Sequence, residues 1–175
     1  DLPGVEVLWI NRYAAGGNLV LDGTLNVTVA PGGSFDPGLY RLMNYTGTLT
    51  NNGLTIGTIP SPDFFVQTSV SNQVNLINTG GLALDFWDGT GARNDGVVSG
   101  GGGLWESQTG NDNWTTQDGS VNAPYANGSF AIFEGSPGMV VVSNGLGPVI
   151  TSGMQFAVSG YSVGAGTLAL TGPQA

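Results

Sequence analysis

Turn residues interrupt this chain so often that strand signals are everywhere and helix signals are nearly absent. Of 175 residues, 31 are glycine and 9 are proline, which is about two and a half times the usual share of glycine. Glycine costs a helix interior roughly 1 kcal/mol relative to alanine. The clusters Ala15-Gly16-Gly17-Asn18, Pro31-Gly32-Gly33, Asn51-Asn52-Gly53, Thr79-Gly80-Gly81 and Gly145-Leu146-Gly147-Pro148 mark turns. Between them apolar and polar residues alternate with a period of two. Leu25-Asn26-Val27-Thr28-Val29, Leu54-Thr55-Ile56 and Met154-Gln155-Phe156-Ala157-Val158 show it, and Leu168-Ala169-Leu170 is a shorter run. The pattern predicts an all-β chain.

A loose repeat runs through it. Gly23-Thr24-Leu25 recurs 24 residues on as Gly47-Thr48-Leu49, and Gly80-Gly81-Leu82 and Gly166-Thr167-Leu168 have the same shape. Short strands with Asn/Gly/Thr corners and a period in the twenties predict a solenoid of stacked β coils, with a hairpin-built β-sandwich as the alternative. The texture changes near residue 86. Trp87, Trp105 and Trp114 fall in a stretch rich in Gly, Asn and Asp, and Gly100-Gly101-Gly102-Gly103 supplies no side chains for a coil face. Residues 87–128 therefore read as an excursion from the solenoid or a small β-meander, its tryptophans packed together. Strand patterning resumes at Phe130-Ala131-Ile132-Phe133 and Val140-Val141-Val142. The expected organisation is a segment 1–86 followed by a second segment 87–175.

Charge removes several classes of partner. Arg12, Arg41 and Arg93 are the only cations against 12 acids, a net charge of −9. Nucleic acids and anionic membrane surfaces need basic stripes, so neither is an expected partner. With no cysteine and no histidine, zinc sites, thiol nucleophiles, disulfides and an imidazole base are out of reach. No apolar run approaches the 18 or so residues of a spanning helix. The opening Asp1-Leu2-Pro3-Gly4 is not a secretion signal, so the chain is expected to be a processed product or a piece of something longer.

Several blocks resemble a known family. Ala165-Gly166-Thr167-Leu168-Ala169-Leu170-Thr171-Gly172 resembles the strand repeat of bacterial autotransporter passengers. Phe86-Trp87-Asp88-Gly89, Gly103-Leu104-Trp105, Asn113-Trp114-Thr115 and Asp118-Gly119-Ser120 are similar to a module that recurs in very large passengers. Phe130–Gly135 and Gly153–Tyr161 fit the same module, and Gly38–Leu42 with Tyr45–Leu49 looks like the close of the preceding unit. The resemblance implies a type V secreted passenger segment folded as a right-handed parallel β-helix. It further implies display at the cell surface by a C-terminal outer-membrane β-barrel translocator, expected beyond Ala175, and adhesion to a host cell-surface or matrix protein or glycan. Self-association through strand edges is compatible with that role. A pure spacer, a β-helical polysaccharide-cleaving enzyme and a phage tail-fibre segment are the alternatives. The family pattern supplies no catalytic residue and no cofactor.

The residues offer four candidate chemistries. Asp85, Asp88 and Asp95 around Trp87 could pair as glycosidase carboxylates, but Asp88-Gly89 and Asp95-Gly96 are also ordinary turns. Calcium at Asp112, Asp118 or the Asp85/Asp88 pair would need six to eight oxygens, and neither local pattern matches a calcium loop, so no metal is expected. Trp87, Trp105, Trp114 and Tyr125 could form a platform that stacks on sugars, or fill a core. The sequons at Asn26, Asn44, Asn113 and Asn127 are expected by chance in an Asn/Thr-rich bacterial chain.

Overall fold

The computed structural model describes residues 14–15, 17–107 and 109–172. Arg12, the opening tetrapeptide and Gly16 of the first turn cluster lie outside the described residues. Every regular element among the described residues is a strand, as the turn spacing requires. Two compact units form. One holds the described residues up to Thr68 together with Asn72–Gly81, the other Ser69–Ser71 together with Leu82 onward.

In the first unit the strands are β1 (Ala14–Ala15), β2 (Leu19–Leu21), β3 (Thr24–Leu25), β4 (Gly38–Tyr45), β5 (Leu49–Asn51), β6 (Thr55–Ile56), β7 (Phe64–Gln67) and β8 (Gln73–Asn78). β1, β2 and β3 pair in parallel with β4, β5 and β6. The register sets Leu19 beside Leu49 and Thr24 beside Thr55. Gly47-Thr48-Leu49 thus stacks on Asn18-Leu19, not on its look-alike Gly23-Thr24-Leu25. The repeat visible in the sequence marks similar corners, and the stacking register is a different one. β8 then runs antiparallel to both β4 and β7. Asn72, with φ 66°, closes the turn into β8 in a conformation that asparagine tolerates better than most residues. A bulge at Leu42 shifts the β4 register and leaves that side chain buried beside Leu21, Val27, Tyr45, Phe64, Val74 and Leu76.

In the second unit the strands are β9 (Leu84–Trp87), β10 (Gly103–Trp105), β11 (Trp114–Thr115), β12 (Asn122–Ala123), β13 (Phe130–Phe133), β14 (Met139–Val142), β15 (Val149–Thr151), β16 (Gly153–Phe156), β17 (Ser162–Gly164) and β18 (Leu168–Leu170). β13, β14 and β15 pair in parallel with β16, β17 and β18 in that order. β9 and β10 pair in parallel with β13 and β14 from the other side. β11 is antiparallel to β9 and β12. The sheets are therefore mixed, so a right-handed parallel β-helix throughout is not what they form, while the antiparallel β11–β12 return falls within the stretch expected as an excursion or small β-meander. The physical reason is local: Gly119, at φ 71°, lets the chain fold straight back, with its N–H donated to the Thr116 carbonyl at 2.9 Å. Tight two-strand returns can only be antiparallel.

Gly100–Gly103 also departs from expectation. Gly103 lies in β10 and pairs with Val140, and Gly100 bridges Ser136 in parallel. Backbone alone supplies those bonds, so missing side chains are no obstacle. Gly103 is bare because the Trp87 indole packs there, 3.0 Å from where a Cβ would stand.

Candidate functional site

The aromatic residues singled out by the sequence do come together. Trp87, Trp105, Trp114 and Tyr125 are exposed by 0%, 0%, 1% and 0%. Trp114 lies at their centre, with ring centroids 5.0 Å from Trp87, 5.0 Å from Trp105 and 4.7 Å from Tyr125. Trp87 Nε1 donates to the Gly101 carbonyl at 2.8 Å and the Tyr125 hydroxyl to the Ser129 carbonyl at 2.6 Å. Burial pushes the Tyr125 hydroxyl far above its ordinary pKa. A platform that stacks on sugars needs an open ring face, and these four rings present none. They are arranged as core aromatics, in a mixture of edge-to-face and tilted contacts.

Outward from this core, Phe133 stacks on Phe156 at 4.8 Å with the rings 12° from parallel. Phe156 is 45% exposed. On the β10–β14–β17 sheet Leu104, Val141 and Gly164 are register partners. Leu104 and Met139 are exposed there, and Val121 is exposed on the β11–β12 turn. These positions, unlike the tryptophans, face solvent, as do Leu82, Leu146 and Leu170.

Asp85, Asp88 and Asp95 each have hydrogen-bond partners of their own. Asp88 is fully buried. It accepts the Ser99 N–H at 2.8 Å and the Asn122 amide at 2.9 Å, with Arg93 Nη1 at 3.7 Å. Asp95 accepts the Val97 N–H at 2.9 Å. Arg93 is the latch of this region: Nε holds Asp112 at 2.8 Å, Nη1 donates to the Gly91 carbonyl, and Nη2 donates to the Gly89 carbonyl and to Asn113 Oδ1. The guanidinium holds the Asp112 carboxyl below its ordinary pKa. Thr116 and Ser120 hydroxyls do the same for Asp118. These acids are engaged in loop-locking bonds, and among the described residues no group of three or more acids could hold a metal.

Asp85 behaves oppositely. Desolvation raises its pKa, against the opposing bonds from the Ala126 N–H and the Ser129 hydroxyl. A raised carboxyl means that the folded state binds its proton more readily than the unfolded chain. Stability is then gained as pH falls through the raised value, and that gain is absent at neutral pH. Asp85→Asn keeps an acceptor oxygen and removes the half-buried charge. It is expected to melt above the parent at neutral pH, with the gap closing as pH falls toward 4. A variant that melts below the parent at neutral pH would mean that the two bonds to the carboxylate outweigh its desolvation.

The sequence reading missed an asparagine device that ties neighbouring strands. Asn18 Oδ1 accepts the Thr48 N–H at 3.0 Å, 30 residues on. Asn26 accepts Thr58 N–H at 2.8 Å and Asn144 accepts Thr167 N–H at 2.8 Å. Each time the threonine follows a glycine (Gly47, Gly57 or Gly166) whose Cβ would collide with that same oxygen. The corners Gly47-Thr48 and Gly166-Thr167 were visible, Gly57-Thr58 was not; the asparagine partners lie 23 to 32 residues away, too far for local patterning to reveal. Asn127 works similarly, accepting the Ile150 N–H at 2.9 Å, so the sequons at Asn26 and Asn127 carry side chains engaged in bonds between strands.

No family model and no solved structure matches the chain. It is 51% identical over 164 residues to the adhesin BmaC autotransporter of Brucella suis biovar 1 (strain 1330). That alignment takes in 90% of this chain and 5% of the relative, so the chain spans about a twentieth of the relative's length. Half of all positions agreeing over so long a stretch is far beyond what shared Gly/Asn/Thr composition produces, and nine-tenths of the chain necessarily takes in the central Trp-rich region. Nine-tenths of the chain is therefore similar to one short stretch of an autotransporter adhesin.

Proposed function

We propose that this segment is displayed at the bacterial surface as part of an autotransporter adhesin, anchored in the full-length protein by an outer-membrane β-barrel. It serves attachment to a host cell-surface or matrix protein or glycan and performs no catalysis. The observation that carries this reading is the 51% identity to an adhesin autotransporter. The parallel-paired strands are read as coils of a right-handed parallel β-helix, because β13–β15 and β16–β18 repeat one three-strand turn in the same order. Within 87–128, β10 continues the coil ladder and the β11–β12 return is read as the excursion, with the boundary between segments placed near residue 86. The tips of 87–128 bear exposed Asp95, Asp118 and Val121, where a protruding loop can bind without disturbing the scaffold. Ligand contact through Trp87, Trp105, Trp114 and Tyr125 would require that core to open, so the outer faces are the better candidates.

The test is binding of the purified segment to host cells, matrix proteins and a glycan array. A variant carrying Leu104→Ser, Val121→Ser and Met139→Ser runs alongside, its fold checked by circular dichroism. Saturable binding by the parent, weakened about tenfold or more in the variant, is the expected result for a contact face with apolar anchors. Binding that the folded variant keeps in full would move the contact elsewhere in the segment. Absence of binding by the parent would assign this piece the spacer role.

A further inference from the structure

Three Asn-Gly pairs occur in the chain, at 52–53, 127–128 and 144–145, and the fold treats them differently. Asn127 is tied at both ends of its amide, accepting the Ile150 N–H at 2.9 Å and donating to the Pro148 carbonyl at 2.9 Å. Asn144 is tied likewise, accepting the Thr167 N–H at 2.8 Å and donating to the Thr167 carbonyl at 3.0 Å. Asn52 is exposed. Its side chain takes part in no hydrogen bond among the described residues. The Gly53 N–H is held only by the exposed Asn51 side chain, at 3.0 Å, and a Cβ at Gly53 would meet nothing within 4 Å.

We propose that Asn52-Gly53 is a spontaneous modification site at which the chain converts its own asparagine to aspartate and isoaspartate. The chemistry needs only water. The Gly53 nitrogen attacks Asn52 Cγ, the new N–Cγ bond closes a five-membered succinimide, and the Cγ–Nδ2 bond breaks. The departing nitrogen leaves as ammonia and takes up the proton lost by Gly53. Water then opens the ring at either carbonyl. Opening at Cγ restores the ordinary backbone with an aspartate, while opening at the main-chain carbonyl routes the backbone through Cβ and Cγ as isoaspartate. Glycine favours the attack because no side chain shields its nitrogen.

The position gives the conversion a structural consequence. Asn52 sits at the corner between β5 and β6, and its own N–H donates to the Leu21 carbonyl at 2.9 Å. Isoaspartate adds a methylene to the main chain three residues before Thr55, whose register partner is Thr24. Ageing therefore adds a negative charge to a chain already at −9 and loosens the β3–β6 pair.

The intact chain is aged in mildly alkaline buffer, digested with a non-specific protease and analysed by mass spectrometry against synthetic aspartate and isoaspartate peptides. In the folded chain Asn52 is expected to convert roughly tenfold or more faster than Asn127 and Asn144, whose inter-strand bonds must break before attack. In denaturant the three rates should converge. Asn51→Ala, which releases the Gly53 N–H, should speed conversion at Asn52, and Asn52→Gln should abolish it. Equal rates at the three sites in the folded chain, or faster conversion at Asn127 or Asn144, would overturn the proposal.

Discussion

Trp114→Ala is expected to cost the second unit about 3–5 kcal/mol, the usual range for emptying a buried large aromatic position. That is a large part of the 5–15 kcal/mol that typically holds a domain together. The magnitude follows from position. Trp114 begins the two-residue strand β11, which offers little pairing of its own, and its ring touches those of Trp87, Trp105, Tyr125 and Phe133, the last at 5.5 Å. Removing it strips the core that joins the β9, β10 and β13 ladders. Trp114→Phe separates the ring from its N–H: Nε1 has no hydrogen-bond partner among the described residues, so phenylalanine forfeits volume but no bond. It should cost about 1–2 kcal/mol, the scale of a partial core truncation. Denaturant unfolding followed by circular dichroism measures both. A loss under about 1 kcal/mol for Trp114→Ala would show that the site collapses around the gap and that the ring cluster contributes little. The same pair of variants bears on binding, because a segment that loses its fold with Trp114 loses any surface carried on it.

How much of this could be read beforehand depends on the range of each interaction. The strand content was legible because alternation and turn residues act within five or six positions. Thr55-Ile56 and Met154–Phe156 lie in strands, whereas of Leu25–Val29 only Leu25 does. Which strands pair was not legible. Gly23-Thr24-Leu25 and Gly47-Thr48-Leu49 look alike, yet stacking follows burial and the long-range clamp from Asn18 to Thr48, and both partners must be known to see it. The tryptophans were correctly marked as a group, since aromatic side chains among glycines must find one another to escape water. Their role could not be settled by composition, because a binding platform and a core use the same residues and differ only in which ring faces are covered. Arg93 stood out as the one cation of its region. Its partners Asp112 and Asn113 lie 19 and 20 residues away, across two turns that the sequence does not register against each other.

Gly100→Ala is expected to be nearly as damaging as the loss of Trp114, for a backbone reason. At φ 74° any side chain costs about 1–2 kcal/mol in left-handed strain. Beyond that, an added Cβ would stand against the carbonyls of Glu134 and Ser136 and the Tyr161 hydroxyl. Two of those three obstacles are main chain in the neighbouring ladder, where the Ser136 carbonyl also accepts the Gly101 N–H at 2.6 Å. Carbonyls fixed in this way cannot rotate aside, so a further 1–3 kcal/mol of overpacking is expected. Gly101 is the control. Its φ of 90° is as unfavourable, but nothing lies within 4 Å of its Cβ position, so Gly101→Ala should show the conformational cost alone. The difference between the two alanine variants therefore isolates the close approach of residues 100–101 to the Glu134–Ser136 corner. If the two prove equally stable, that corner yields to an added methyl group and the approach is loose. If Gly100→Ala is worse by about 1–3 kcal/mol, the glycine run is what lets a loop rich in turns dock backbone to backbone against the ladder, without a side chain between them.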